Sequence, residues 1–167
     1  MTNQGRSDLT STHDHARRYD GKTVVVTGAS GLIGGAIARR VSAEGVNVVV
    51  TARRRDRLDA LVDELGLERA LAVTADVTRR EGLDALLRAA ADRFGGIDVL
   101  VSNAGNAFPR AFEELTSDDW RHFMATTVDS AFLGAQAAPP RLKRSRGSIV
   151  NIAALWEPKW YMPTTFG

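Results

Sequence analysis

Thr23–Thr27 (TVVVT) runs directly into Gly28-Ala29-Ser30-Gly31-Leu32-Ile33-Gly34, and this junction restricts the fold more than any other stretch of the 167-residue chain. A β-branched run is stiff at χ1 and packs best as an extended strand. Glycines then allow a tight turn, and the apolar periodicity from about Leu32 to Glu44 reads as a helix that Gly45 ends. The same junction sets up chemistry. Glycines let backbone approach a pyrophosphate, and the first turn of the helix offers free N–H groups and partial positive charge to it. A glycine turn can also serve packing alone, but the strand–turn–helix setting is the one that a phosphate-binding loop requires.

The pattern repeats along the chain. Val46–Thr51 (VNVVVT) reads as a second strand, and Arg55–Leu65 as an amphipathic helix with Leu58, Leu61, Val62 and Leu65 on one face. Ala70–Thr74 reads as a third strand running on to Asp76, Arg79–Phe94 as a helix closed by Gly95-Gly96, and Ile97–Ser102 as a fourth strand. A loop with Pro109 follows. A long helix is expected from Ser117 or Asp118, either a good N-cap, to Ala138, where Pro139-Pro140 stops it. Arg141–Arg146 (RLKRSR) reads as a solvated loop, and Ser148–Ile152 as a fifth strand. Near-continuous apolar strands alternating with helices predict an α/β fold with a parallel sheet covered on both faces.

Composition narrows the function classes. Hydrophobic residues are 44% and charged residues 25%, ordinary values for a globular domain. Cysteine is absent, so thiolate metal sites, disulfides and a cysteine nucleophile are excluded. No apolar run approaches the length needed to span a bilayer, and no secretory leader is visible in the polar N-terminus. A cytoplasmic location is therefore expected, with no membrane partner. The net charge is only +2, and RLKRSR has no aromatic platform or recognition helix beside it, so no nucleic-acid partner is expected. His13, Asp14 and His15 lie in residues 1–20, which read as a flexible arm rather than a metal site.

The end of the second strand bears on the choice of nucleotide. A site for NAD places a carboxylate about 20 residues after the glycines, where it binds the ribose 2′-hydroxyl. This chain has Thr51-Ala52-Arg53-Arg54 there. A planar, permanently charged guanidinium suits a 2′-phosphate, so Arg53 and Arg54 favour NADP(H) over NAD(H). Asp76 and Asn103-Ala104-Gly105 follow the third and fourth strands, at the sheet edge where open α/β folds bind ligands.

Taken together, TGASGLIG (27–34), TARR (51–54), ADV (75–77), VSNAG (101–105) and GSIVNIA (147–153) resemble the short-chain dehydrogenase/reductase family, its compact branch, over about residues 21–154. The resemblance implies a three-layer Rossmann-type fold with strand order 3-2-1-4-5, from which the family's last two strands are missing. It implies hydride transfer between NAD(P)(H) and a small carbonyl or alcohol. It carries Asp76 to the adenine contact and Asn103, Ala104 and Gly105 to the central cofactor wall; with Gly28, Ser30, Gly31, Ile33 and Gly34 of the glycine turn, Arg53 and Arg54 after the second strand, and Val77 beside Asp76, these are the expected cofactor-binding residues.

The sequence also departs from the family. The compact branch usually reads TGxxxGxG, which would put glycine at 32, whereas here the glycine is Gly31. The family's catalytic Asn, Ser, Tyr and Lys do not carry over. Thr127 stands at the Asn position, Ala154 at the Ser position, and Tyr161 is followed four residues later by Thr165 rather than Lys. No catalytic residue is therefore assigned. The expectation is a C-terminally truncated, catalytically impaired form. Its NADP-binding domain spans 21–154, its tail 155–167 is irregular, its fifth strand forms an open edge, and the family's oligomer interface is only partly present. The alternative is an NADPH-binding pseudoenzyme acting as a binding or sensor module.

Overall fold

The structure, a computed structural model, describes residues 19–106 and 112–153. Five parallel strands form one sheet: β1 (Thr23–Thr27), β2 (Asn47–Ala52), β3 (Ala70–Thr74), β4 (Val99–Ser102) and β5 (Ser148–Asn151). Their order is β3-β2-β1-β4-β5, the Rossmann-type arrangement expected. β1 is central, with Thr23 to Thr27 in register with Asn47 to Thr51, and Val24 to Val26 with Val99 to Val101. The helices are α1 (Leu32–Ser42), α2 (Arg55–Leu65), α3 (Arg80–Phe94), α4 (Ser117–Met124), α5 (Ser130–Ala137) and α6 (Pro139–Ser145).

Alternation along β1 and β2 builds two cores. Val24, Val26, Val48 and Val50 face one side, where they pack with Ala38 of α1 and Leu58, Leu61 and Val62 of α2. Val25 and Val49 face the other, with Leu83, Leu86 and Leu87 of α3, Leu100, Ala137 of α5 and Leu142 of α6. Side chains alternate across a strand, so one run of valines supplies both layers. The helix sides supply their half through apolar positions spaced three and four apart.

The stretch after β4 departs from the expected single helix. Thr116, not Ser117 or Asp118, caps α4. Its hydroxyl accepts from the Asp119 N–H at 3.1 Å, and the Asp119 carboxylate accepts from the Thr116 N–H at 3.0 Å. This reciprocal capping box uses Asp where Glu is usual. A π-helical turn, Ala125–Asp129, then separates α4 from α5. Three consecutive β-branched residues, Thr126-Thr127-Val128, crowd that turn, and the Ser130 hydroxyl donates to the Thr126 carbonyl at 2.7 Å. Pro139-Pro140 does not end the helical region. It opens α6, which occupies most of the segment expected as a solvated loop. Proline suits a first helical turn, whose N–H groups have no partner within the helix. Leu142 is buried and the Ser145 hydroxyl donates to the Ile97 carbonyl at 2.6 Å, so α6 is part of the packed layer.

β5 is an edge strand, as expected, and is mostly exposed, with Val150 at 44% and the adjoining Ile152 at 39%. Among the described residues, no helix is long and apolar enough to cross a membrane. The arm up to residue 18, the Pro109 loop, Ala154, and Tyr161 with the rest of the tail lie outside the described residues.

Leu86 is fully buried between α3 and the sheet. Leu86→Ala should lower the unfolding free energy by about 2–5 kcal/mol in urea titration, whereas Leu67→Ala, at an exposed residue, should leave it nearly unchanged.

Candidate cofactor site

The carboxyl ends of β1, β2, β3 and β4 open into one cleft of about 550 Å3. Gly28, Ser30 and Gly31 line it, as do Arg53 and Arg54 after β2, Asp76 and Val77 after β3, and Ala104 and Gly105 after β4. Nine of the twelve residues expected at the site thus meet in one place.

The other three lie behind it. Asn103 points its amide inward, donating to the Thr27 carbonyl at 2.9 Å and toward that of Gly28 at 3.4 Å. Gly34 sits against that amide. A Cβ at Gly34 would lie 2.6 Å from both Asn103 Nδ2 and the Gly28 carbonyl oxygen. Ile33 is on the first turn of α1, 58% exposed and outside the cleft lining.

The loop is held by a compact set of bonds. Gly28 has φ +66°, and a Cβ there would come within 2.9 Å of the Ala104 Cα, so only glycine allows the β1 and β4 loops to touch. The Ala29 N–H donates to the Thr51 carbonyl at 3.1 Å, tying the loop to β2. The buried Thr27 hydroxyl accepts from the N–H groups of Asn103 at 2.9 Å and Ala104 at 3.0 Å, and donates to the Val101 carbonyl at 3.3 Å.

A nucleotide cofactor fits these residues. α1 begins at Gly31 with no side-chain cap and no acidic residue in its first turn. Its leading N–H groups are therefore left for an anion, in the field of the helix dipole. Arg55, next in sequence, is paired with Asp59 at 2.7 Å, whereas Arg53 and Arg54 line the cleft. Asp76 faces the same space. The Thr78 hydroxyl, donating at 2.7 Å, holds its carboxyl below the usual carboxylate range. Partial burial opposes this, while the Thr78 N–H at 3.0 Å and the charges of Arg53 and Arg79 reinforce it. Both Thr78 bonds go to Oδ1, so Oδ2 can accept from a ligand.

Sequence reasoning did not find the remaining wall. His122, Ala125 and Thr126 of α4 and the π-turn line the cleft, together with Asn106. Thr126 Oγ1 lies 2.8 Å from the His122 carbonyl oxygen and 2.6 Å from Asn106 Oδ1. The Thr126 hydroxyl has one proton, which these two acceptors share. Asn106 adjoins the motif at 103–105 and was within reach of sequence inspection. His122 was not, because its direction depends on how α4 docks. Thr127 packs near Gly105, where a Cβ would lie 3.5 Å from its Oγ1. That hydroxyl and the one on Thr51 are buried with no hydrogen-bond partner among the described residues.

Known proteins resemble the chain over most of its length. The profile of a family described as short chain dehydrogenase matches residues 22–159. Meso-2,3-butanediol dehydrogenase of Serratia marcescens is 36% identical over 138 residues, covering 83% of this chain and 55% of that protein. An oxidoreductase of Staphylococcus aureus strain N315, described as uncharacterized, is 34% identical over 135 residues, 80% of this chain and 58% of its own length. The crystal structure of a short-chain dehydrogenase/reductase of the glucose/ribitol dehydrogenase type from Brucella melitensis superposes with a TM-score of 0.78 at 38% identity, over 82% of this chain and 58% of that one. The chain spans a little over half the length of these proteins.

Two predictions follow from the bonding. Thr27→Val leaves two partly buried N–H groups without their acceptor and should destabilise by roughly 2 kcal/mol in denaturant titration. Thr27→Ser keeps the oxygen and should cost only about 1 kcal/mol for the lost methyl. For Asp76, a carboxyl pKa lowered by folding contributes stability that is present above about pH 4 and lost as pH falls through the lower folded value. The stability difference between wild type and Asp76→Asn, followed by thermal melts, should therefore be constant near neutrality and shrink below about pH 4.

Proposed function

The chain belongs to the short-chain dehydrogenase family, and from that premise we propose that its cleft binds NADP(H) in preference to NAD(H). The bound cofactor would serve oxidoreduction of a small carbonyl or alcohol. One observation carries the preference: Arg53 and Arg54 line the cleft at the end of β2, where a site for NAD would present a carboxylate. A guanidinium fork gives a phosphate charge-assisted, bidentate hydrogen bonds.

When bound, the nicotinamide ring supplies a hydride donor or acceptor. The residues of this chain do the holding. The uncapped start of α1 and the Gly28–Gly31 turn would take the diphosphate, Arg53 and Arg54 the 2′-phosphate, and Asp76 Oδ2 a donor on the base. Ala104 and Gly105 leave room for a ribose, because their small size lets backbone form the wall.

We further infer that hydride transfer by this chain is impaired. The family resemblance places a catalytic Asn where Thr127 stands and a catalytic Ser where Ala154 stands. A methyl side chain cannot polarise a substrate oxygen, and the Thr127 hydroxyl is buried without a partner among the described residues.

Titration with NADPH and NADH tests the reading. Arg53→Ala should weaken NADPH roughly tenfold to a hundredfold, the range for a hydrogen bond to a charged group, and leave NADH within about twofold. Equal losses for both cofactors would remove Arg53 from the 2′-phosphate. Absence of binding by the folded wild-type chain would refute the site.

A further inference from the structure

We propose that Thr78 is a positioning residue for the Asp76 carboxylate. It fixes which oxygen meets the ligand, and so selects a dinucleotide whose base carries an amino group over one that carries a carbonyl oxygen in its place. The inference rests on the nucleotide reading above and deepens it. Asp76, Val77 and Thr78 all line the cleft. The Thr78 hydroxyl and the Thr78 N–H both donate to Asp76 Oδ1, at 2.7 Å and 3.0 Å. Among the described residues, none donates to Oδ2. The backbone behind the pair is fixed as well. The Arg79 N–H donates to the Asp76 carbonyl at 3.3 Å, and a Cβ at Gly82 would collide with that carbonyl oxygen. The first turn of α3 therefore packs directly against Asp76.

A carboxylate held by one donor can turn about that bond. Two donors from the same residue hold it in one orientation, with Oδ2 as the oxygen left for a ligand. An acceptor ordered in advance spares the ligand the cost of ordering it. The charges of Arg53 and Arg79 also favour the ionised form, which accepts and cannot donate. Such an oxygen suits the exocyclic amino group of adenine. It opposes the carbonyl oxygen that replaces this group in hypoxanthine, because two acceptors then face each other. The same geometry has a consequence of opposite sign in Asp76→Asn. The Thr78 N–H can only donate, so the amide oxygen takes the Oδ1 place and the amide nitrogen takes the Oδ2 place. The cleft then presents a donor, which favours the carbonyl.

Calorimetric titration of the full chain with NADP+ and with its hypoxanthine analogue, nicotinamide hypoxanthine dinucleotide phosphate, tests this. Wild type should bind NADP+ roughly tenfold tighter or more, the range for a hydrogen bond to a charged group. Asp76→Asn should move that ratio roughly tenfold or more toward the hypoxanthine form. Thr78→Val removes the hydroxyl and keeps the N–H, and should cut the wild-type ratio roughly threefold or more. Thr78→Ser should retain the wild-type ratio. A ratio unchanged in Thr78→Val, or lost in Thr78→Ser as in Thr78→Val, overturns the positioning role. Equal binding of both dinucleotides by wild type, or no movement toward hypoxanthine in Asp76→Asn, overturns the selection. If NADP+ binding still depends on Arg53 in those cases, only this inference falls. If neither dinucleotide binds the folded wild type, it falls together with the cofactor reading.

Discussion

The Thr27 hydroxyl joins the carboxyl ends of β1 and β4, and the geometry of the cleft depends on that junction. Two N–H donors, from Asn103 and Ala104, converge on one buried oxygen, which itself donates to Val101. Without it, the loop after β4 would carry two partly buried amides with no acceptor. The Asn103 amide continues the same knot by binding the carbonyls of Thr27 and Gly28. Gly28 and Gly34 are small because this knot is tight. Any Cβ at either position would meet Ala104 or Asn103 at less than van der Waals distance. The cleft floor is thus set by hydrogen bonds within the fold, before any ligand is considered.

Electrostatics then gives the cleft its character. Arg55 and Arg80 are paired along their own helices, with Asp59 and Asp84. Exposed pairs of that kind add little stability, but they remove charge from the surroundings. The cleft itself presents the start of α1, the two arginines after β2, and Asp76, whose charge is held by Thr78 first and by Arg53 and Arg79 after it. Positive groups therefore sit where a phosphate could lie, while the carboxylate keeps one oxygen for a donor. Such a division of charge suits a nucleotide, which is anionic at its phosphates and carries donors on its base.

Much of this was legible in the residues themselves. The valine runs of β1 and β2 and the apolar spacing of α2 are periodic signals that depend only on neighbours in sequence. Glycine turns mark strand-to-helix junctions for the same local reason. The stretch from Thr116 to Ser145 was read less well. A Thr–Asp capping box, a π-helical turn and a proline-initiated helix each depend on where a few backbone groups find partners. Thr126 illustrates the difficulty. Nothing in its sequence context shows that its hydroxyl meets Asn106, 20 residues earlier.

The sequence by itself determined the layers and the loop. β-branched strands must be buried on both faces, helices of matching spacing must cover them, and a glycine-rich turn between the two leaves free N–H groups for an anion. The resemblance carried by its motifs set the strand order in advance. Tertiary structure decided which of the expected residues face the ligand and which support it. Asn103 turned inward and Gly34 stayed small because the β1 and β4 loops touch, and His122, Ala125 and Thr126 became a wall where the end of α4 and the π-turn meet the loop after β4 at Asn106. Those outcomes depend on the relative placement of elements far apart in the chain, which no local pattern encodes.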